Sequence, residues 1–291
     1  MHSASPSARP SDTLPAALRL GPVHLTVRDL DRSVPWYERS LGLSVHDRTS
    51  ERARLGDERD VSVVLHADPE ARPAGRHAGL YHYALLFPAR EELARAALRL
   101  AAARTPIQGA SDHGTHEAIY LPDPDGNGIE LAADRPAEQW PTWDEQFRGG
   151  PQPLDSTALL DTVRGETPGP VVEPGLRVGH LHLHVGDVQE AFGFYRHVIG
   201  FDVTADMGTA GFLSAGGYHH HLGVNTWRGR GVGPEPPHTA GLRHWHVVLP
   251  EAADVTAVRK RVDAAGVVAE ERPGGFVVRD PWGIALLVTA G

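Results

Sequence analysis

The sequence contains no cysteine among its 291 residues. This absence excludes disulfide bonds, thiolate zinc sites and iron–sulfur clusters, all of which need cysteine sulfur. A metal site in this chain must therefore use nitrogen and oxygen ligands, and the sequence offers 18 histidines beside its carboxylates. The number of histidines does not locate a site, whereas their positions in the sequence can.

Long apolar runs are absent too, and a membrane-spanning helix requires about 18 or more apolar residues in succession. The first residues, MHSASPSARPSDTLP, are polar and rich in serine and proline, unlike the apolar segment of a secretion signal. We therefore predict a cytoplasmic protein that makes no membrane contact. Residues 1–18 are predicted to form a disordered tail.

An excess of positive charge is also lacking. The chain has 28 basic and 37 acidic residues, a formal net charge of −9, and the basic residues are dispersed. A nucleic-acid surface needs a basic patch, so no nucleic-acid partner is expected. The length suffices for about two domains and a substantial hydrophobic core.

The chain repeats itself. Residues 20–45 align with residues 178–203, so that Asp29 meets Asp187 and Tyr37 meets Tyr195 at one offset. GLYHYALLFP is followed later by GLRHWHVVLP, and DPDGNGIEL by DPWGIALLV, in the same order. Repeats of this kind indicate recurring structural units.

Each unit starts with a short strand of alternating pattern, continues with an amphipathic helix and ends with strands rich in valine, isoleucine and leucine. We predict an α+β fold with four βαβββ modules paired into two cupped mixed β-sheets. Along the chain these are module A (19–70) and module B (78–136), which form an N-terminal domain (19–136), and modules A′ (177–230) and B′ (241–291), which form a C-terminal domain (177–291). Residues 137–176 are predicted to be a linker with one short helix.

Four such modules resemble the vicinal oxygen chelate superfamily of glyoxalases, bleomycin-resistance proteins and extradiol dioxygenases. The resemblance is carried by GLYHYALLFP, GASDHGTHEAIYLPDPDGNGIEL, VGHLHLHVGDVQEAFGFY and FLSAGGYHHHLGVNTW. It is greatest for two-domain proteins of the catechol 2,3-dioxygenase type. In such proteins paired modules form a cup, and the first and last strands of the modules ligate a metal.

For a dioxygenase the resemblance implies two histidines and one glutamate on iron, a ligand set that leaves coordination positions open. Modules B and A′ together supply His82, Glu130 and His180, whereas module A has Pro22 and module B′ has Leu287 at corresponding positions. We therefore predict that the working site combines B with A′, either within one chain or across a homodimer. The implied cofactor is Fe(II), with Mn(II) as the alternative.

The histidine ligand on the first strand of module A′ stays open between two residues. His180 and His182 lie on the same face of one predicted strand, and the spacing to Asp187 favours His180. Three consecutive histidines, His219, His220 and His221, are predicted to continue a strand. Neighbouring side chains on a strand face opposite ways, so the three cannot all bind one ion. The resemblance implies that His220 projects into the cup as an acid–base group.

The resemblance also implies that the hydroxyl of Tyr120 approaches the substrate and that His113 lies just behind the site. Because this segment is about two residues shorter than in the comparison, His116 is a rival of His113. Phe212, Trp227 and Trp245 are candidates for an aromatic pocket lining.

The leading hypothesis is an extradiol dioxygenase that opens a small aromatic diol with O₂. One alternative is a glyoxalase-like isomerase, which would require a more carboxylate-rich ligand set and a basic pocket. Another is a metal-free binding protein of the drug-sequestering type, which would usually lack the full ligand set. Metal analysis and addition of catechol in air would discriminate among them.

Overall fold

A computed structural model describes residues 13–142, 145 and 150–291, which form two nine-stranded mixed sheets. One sheet, here called the site sheet, is built from strands between residues 79 and 225. The other, the companion sheet, is built from strands in residues 19–67 and 241–290. The predicted α+β fold of four modules in two cupped sheets is confirmed.

The elements of the first half are β1 (Arg19–Leu20), β2 (Val23–Val27), α1 (Leu30–Trp36), β3 (Ser44–Arg48), β4 (Arg52–Gly56), β5 (Val61–Ala67), β6 (Gly79–Phe87), α2 (Arg90–Ala103), β7 (Gly109–Asp112), β8 (His116–Pro122) and β9 (Gly128–Asp134). Between the halves lie a 3₁₀ turn (Ala137–Gln139), β10 (Gln152–Pro153) and α3 (Ser156–Asp161).

The elements of the second half are β11 (Arg177–His184), α4 (Val188–Phe192), β12 (Asp202–Asp206), β13 (Ala210–Ser214), β14 (Leu222–Asn225), β15 (Gly241–Leu249), α5 (Ala252–Ala264), β16 (Ala269–Arg272), β17 (Gly275–Arg279) and β18 (Ala285–Ala290). None of the helices in the described ranges is long and apolar enough to cross a membrane.

Each sheet joins a module from one half of the sequence to a module from the other half. The site sheet, with the strand order β10-β7-β8-β9-β6-β11-β14-β13-β12, holds modules B and A′, which meet where β6 runs antiparallel to β11. The companion sheet, with the order β16-β17-β18-β15-β2-β5-β4-β3 and β1 paired with β15, holds modules A and B′, which meet where β2 runs antiparallel to β15. The division of the chain into two successive halves, 19–136 and 177–291, is therefore different from its division into sheets.

The turn from strand to helix in modules A and A′ follows from an aspartate. Asp29 and Asp187 are the N-caps of α1 and α4, and their carboxylates accept hydrogen bonds from the free backbone N–H groups of the first turn. Both helices continue into a π-helical turn, Tyr37–Leu41 and Gly193–Ile199. Each turn ends at a glycine in the left-handed region, Gly42 or Gly200, where a side chain would be strained.

The same helices connect the two modules of each half. Tyr37 of module A donates a hydrogen bond of 2.9 Å to Asp123 in the turn before β9. Tyr195 of module A′ donates an equivalent bond of 2.9 Å to Asp280 in the turn before β18. Each bond joins one sheet to the other, since the two modules of a half belong to different sheets. The DPDG and DPWG repeats are therefore structural turns.

Two predicted boundaries need adjustment. Most of the predicted tail, residues 1–12, lies outside the described residues, but the packed fold begins before residue 19 because Leu14 and Leu18 are buried. The predicted linker contains the short helix, which is α3, with Asp155 as its N-cap. The linker also adds a strand to the site sheet, because β10 pairs with β7.

Candidate metal centre

Three side chains converge where modules B and A′ meet. The Nε2 atom of His82 lies 3.0 Å from Oε2 of Glu130, and the Nε2 atom of His180 lies 3.1 Å from the same oxygen. All three are buried, and Glu130 is only 1% exposed. The three ligand atoms lie within 4.8 Å of one another.

The strand order explains this convergence. Within module B, β6 and β9 are parallel neighbours, so residues near the middle of both strands lie side by side. Across the module boundary, β6 pairs with β11, and His82 lies opposite His182. Ala84, two residues after His82 on β6, pairs with Glu130 on β9. The pairing of β11 with β6 is irregular between Val178 and Leu181, and His180 lies in this irregularity, in contact with Glu130. The site therefore needs strands from both halves of the chain.

The donor set fits one metal ion. Two ligand atoms that bind an ion at about 2.1 Å, at right angles to each other, are about 3.0 Å apart. The two nitrogen–oxygen separations agree with this value. Two imidazoles and one carboxylate grouped in this way suit a divalent transition metal with further coordination positions open.

The carboxylate of Glu130 is ionised and can therefore bind a cation. Burial alone would raise the pKa of its carboxyl, but the positive field of His180 and hydrogen bonds from His116, His180 and His82 outweigh burial, so the pKa lies well below its usual range. Its second oxygen, Oε1, is 3.0 Å from Nε2 of His116. His116 therefore orients the carboxylate, a role that outer partners of metal ligands commonly have.

The structure separates His180 from His182. His180 contacts Glu130 as described, whereas Nε2 of His182 is buried and has no hydrogen-bond partner among the described residues. The ring of His182 packs instead against Tyr81 and Trp227. The ring fits there because residue 223 is glycine. A Cβ atom at this position would lie only 2.9 Å from the ring of His182. The geometry therefore favours His180 as the ligand.

Tyr120 and His113 form a pair beside the trio. The hydroxyl of Tyr120 is 2.7 Å from Nε2 of His113, and the ring of Tyr120 is 5.6 Å from that of His82. Burial, followed by the charge of Glu130, raises the pKa of Tyr120, so its hydroxyl keeps its proton. His113 and His116 stack with ring centres 4.6 Å apart. The two rivals thus both lie at the site, one on the tyrosine and one on the carboxylate.

The prediction of a strand through the three consecutive histidines was wrong. Residues 215–221 form an irregular turn between β13 and β14, and alternation of faces does not apply there. His219 and His220 both face the site, with Nδ1 atoms 2.8 Å apart. His221 turns away, and its Nδ1 is 3.2 Å from the hydroxyl of Ser214. The ring of His220 lies 4.1 Å from that of His180.

A cavity of about 510 Å³ opens onto the trio. This volume is typical of a small-molecule site. Phe212 and Trp227 line it as predicted, but Trp245 does not, because it is fully buried between Tyr195 and Phe201 in the core of the companion sheet. A larger cavity of about 760 Å³ lies elsewhere, along β1, β4 and β11, and it contains none of the trio. We assign the site to the smaller cavity, where the ionisable groups converge.

Sequence reasoning missed a second group next to the trio. His116, Asp134 and His219 offer three ligand atoms within 4.8 Å of one another. A signal was present, because Asp134 lies four residues after Glu130 on the same strand and so shares its face. Its partner His219 could not be found this way, since the turn that carries it belongs to module A′. In the companion sheet the position equivalent to Glu130 holds Leu287.

Comparisons with known proteins agree with this structure. The family model described as Glyoxalase/Bleomycin resistance protein/Dioxygenase superfamily matches residues 19–131 and 177–288. A protein of Bacillus subtilis (strain 168) named catechol-2,3-dioxygenase is 40% identical over 272 residues, which cover 90% of this chain and 93% of the relative.

Two solved structures show the same fold. A putative dioxygenase from Bacillus subtilis is similar with a TM-score of 0.64 at 13% identity, over 94% of this chain and 85% of that one. Glyoxalase I from Zea mays is similar with a TM-score of 0.59 at 17% identity, over 94% and 92%. With the family model covering most of the sequence, the chain belongs to the glyoxalase/bleomycin resistance protein/dioxygenase superfamily.

Proposed function

We propose that this protein is an extradiol dioxygenase that opens the ring of a catechol-type diol with O₂. The observation that carries the proposal is the convergence of His82, Glu130 and His180 in the lining of the cavity. The named activity of the 40% identical relative supports it. Fe(II) is the proposed metal, with Mn(II) as the alternative, and when bound it supplies open coordination positions and the redox chemistry of O₂.

The residues of the chain bind and orient the diol. Phe212 and Trp227 line the cavity and offer aromatic faces to a flat ring. The Tyr120 hydroxyl keeps its proton, and with Nε2–H of His113 as the donor in their shared bond it can donate that proton in a hydrogen bond to a substrate oxygen. His220 also lines the cavity, where its ring is placed to accept a hydrogen bond and then a proton from a catechol hydroxyl.

The cavity disfavours the isomerase alternative. Among the described residues that line it, one is a carboxylate, Glu130, and none is arginine or lysine. A glyoxalase-like site was expected to need more carboxylates and a basic pocket. The binding-protein alternative does not require three metal donors at matching distances. Because all three donors come from one chain, a homodimer is not needed to complete the site.

Metal loading tests the proposal. The purified chain, loaded with Fe(II) without air and then given catechol in air, should retain about one iron per chain and form a yellow ring-opened product. Glu130→Gln should lose iron and product together, because an amide is a far weaker ligand than a carboxylate. Glu117→Gln is the matched control, since Glu117 is another buried carboxylate of module B, paired with Arg90. Product formation by metal-free protein would overturn the proposal.

Substitution of His220 tests the acid–base role. His220→Gln removes the proton acceptor but leaves the three metal donors in place. We expect unchanged iron content and turnover slower by about 100-fold. The measurements are iron per chain and steady-state kcat with catechol. Wild-type turnover in this variant would refute the role of His220.

A further inference from the structure

A series of hydrogen bonds leads from His220 to Asp134. His220 and His219 meet through their Nδ1 atoms at 2.8 Å. His219 continues through Nε2 to Oδ1 of Asp134 at 3.0 Å, and Tyr218 donates to Oδ2 of Asp134 at 2.9 Å. His219 and His220 are 4% and 7% exposed, and Asp134 is half-buried.

The direction of each bond follows from donor and acceptor capacity. A carboxylate only accepts hydrogen bonds, so Nε2 of His219 must carry the proton in its bond to Asp134. A neutral imidazole carries one N–H, which leaves Nδ1 of His219 as an acceptor. The remaining partner, Nδ1 of His220, must then be the donor.

His219 stays neutral in this arrangement. Its ring is buried and stacks at 4.9 Å on that of His116, and it lies 6.3 Å from that of His180. Burial accordingly lowers the pKa of His219 to about 4, even though the hydrogen bond to Asp134 acts in the opposite direction. The bonding pattern agrees with neutral rings, because one N–H on each ring satisfies both contacts: Nε2–H of His219 to Asp134 and Nδ1–H of His220 to His219.

The geometry points to Asp134 and His219 as positioning residues that fix His220 in the tautomer with the proton on Nδ1. The lone pair of Nε2 is then left for the cavity, where His220 is a lining residue. No hydrogen bond from the described residues occupies this Nε2 atom. This inference deepens the proposed function and rests on it, because it explains why His220 can act as a base.

The proposed proton transfer breaks one bond and forms one bond. A catechol O–H bond breaks, a bond forms between that proton and Nε2 of His220, and the electron pair stays on the substrate oxygen. The resulting imidazolium keeps its Nδ1–H bond to His219. Asp134 stabilises the new charge through His219, as the carboxylate of a catalytic triad orients and stabilises its histidine.

Nitrogen NMR tests the tautomers without reference to activity. The full chain, labelled with ¹⁵N-histidine and given one equivalent of Zn(II), should show His219 neutral with its proton on Nε2 and His220 neutral with its proton on Nδ1. His219→Gln and His220→Gln spectra assign the signals. A proton on Nε2 of His220, or an imidazolium at His219, would overturn the inference. Tight binding of a second Zn(II) at His116, Asp134 and His219 would overturn it as well.

Variants link the tautomer to turnover. Asp134→Ala frees His219 to change tautomer, so the Nδ1–H signal of His220 should diminish and kcat should fall by about 10- to 100-fold, with KM and iron content unchanged. Tyr218→Phe keeps the carboxylate and should preserve both tautomers. His221→Gln is the matched control. His221 is the next residue in the sequence, but it hydrogen-bonds to Ser214 and takes no part in the contacts between His220, His219 and Asp134.

The outcomes separate this inference from the proposed function. If the Fe(II)-loaded wild-type protein does not open catechol, the proposed function fails, while the NMR spectra still test the tautomers. If wild type is active but Asp134→Ala keeps both the His220 signal and wild-type kcat, the positioning role alone is refuted.

Discussion

At the scale of single residues, the molecule distinguishes side chains that look equivalent in the sequence. His180 and His182 share one face of β11, yet only His180 has Glu130 within 3.1 Å. The difference arises from the neighbouring strands, since β6 and β9 present Glu130 beside one of the two positions. Similarly, His220 and His221 are adjacent in the chain but point to different cavities.

The choice between the two histidines of β11 can be measured. His180→Gln removes one of the three donors. Loss of a residue that only hydrogen-bonds to a metal ligand lowers metal affinity by up to about 100-fold, so loss of the ligand itself should lower Fe(II) affinity by more than that. His182→Gln should keep iron binding within a few-fold of wild type. Anaerobic Fe(II) titration of the two variants decides between them. Loss of iron in His182→Gln alone would assign the ligand to His182.

At the scale of structural elements, the hydrogen bonds between helices and turns hold the two sheets together. Tyr195 packs in the core and reaches Asp280, whose carboxylate also accepts from two backbone N–H groups of the turn. Tyr37 and Asp123 repeat the contact in the other half of the chain. This repetition explains why both halves keep a tyrosine and a DP turn even where no metal ligand is present.

Removal of one such hydroxyl should be costly. Tyr195→Phe leaves a buried carboxylate short of one donor, so the free energy of unfolding should fall by about 1–3 kcal/mol. Tyr81→Phe is the control, because Tyr81 is 40% exposed, and a change within about 0.5 kcal/mol is expected for it. Urea unfolding of both variants gives the comparison. Equal stability of Tyr195→Phe and wild type would contradict the role of this bond.

At the scale of the whole molecule, the companion sheet carries three half-buried histidines, His24, His66 and His244, whose rings stack on one another. Burial, followed by the charges of His244 and His66, lowers the pKa of His24 to about 2. Burial lowers the pKa of His66 and of His244 to about 4, with Arg243 contributing to both. These rings are neutral in the folded protein at neutral pH.

This difference predicts acid sensitivity. Unfolded histidine has a pKa of about 6.5, so below that pH the unfolded chain binds more protons than the folded one. Stability should therefore be full above pH 6.5 and fall as the pH decreases toward 4. Urea midpoints measured from pH 7.5 to 4.5 test this, and His24→Gln should make the decline shallower. An unchanged midpoint between pH 7 and 5 would contradict the prediction.

The sequence by itself determined the modules, the superfamily and the set of candidate donors. Repeated motifs specify local structure, and the identities of Pro22 and Leu287 removed two modules from consideration. It also indicated that B and A′ should combine. The resemblance brought Tyr120 and His220 to attention before their surroundings were visible.

The tertiary structure decided what depends on contacts between distant segments. It placed both modules of the site in one chain, turned the histidine row into an irregular loop, and brought Asp134 to His219 across 85 residues of sequence. Alternation along a strand cannot describe a turn, and periodicity within one module carries no information on a partner in another. Hydrogen-bond direction, and with it the proposed state of His220, is fixed only where these segments meet.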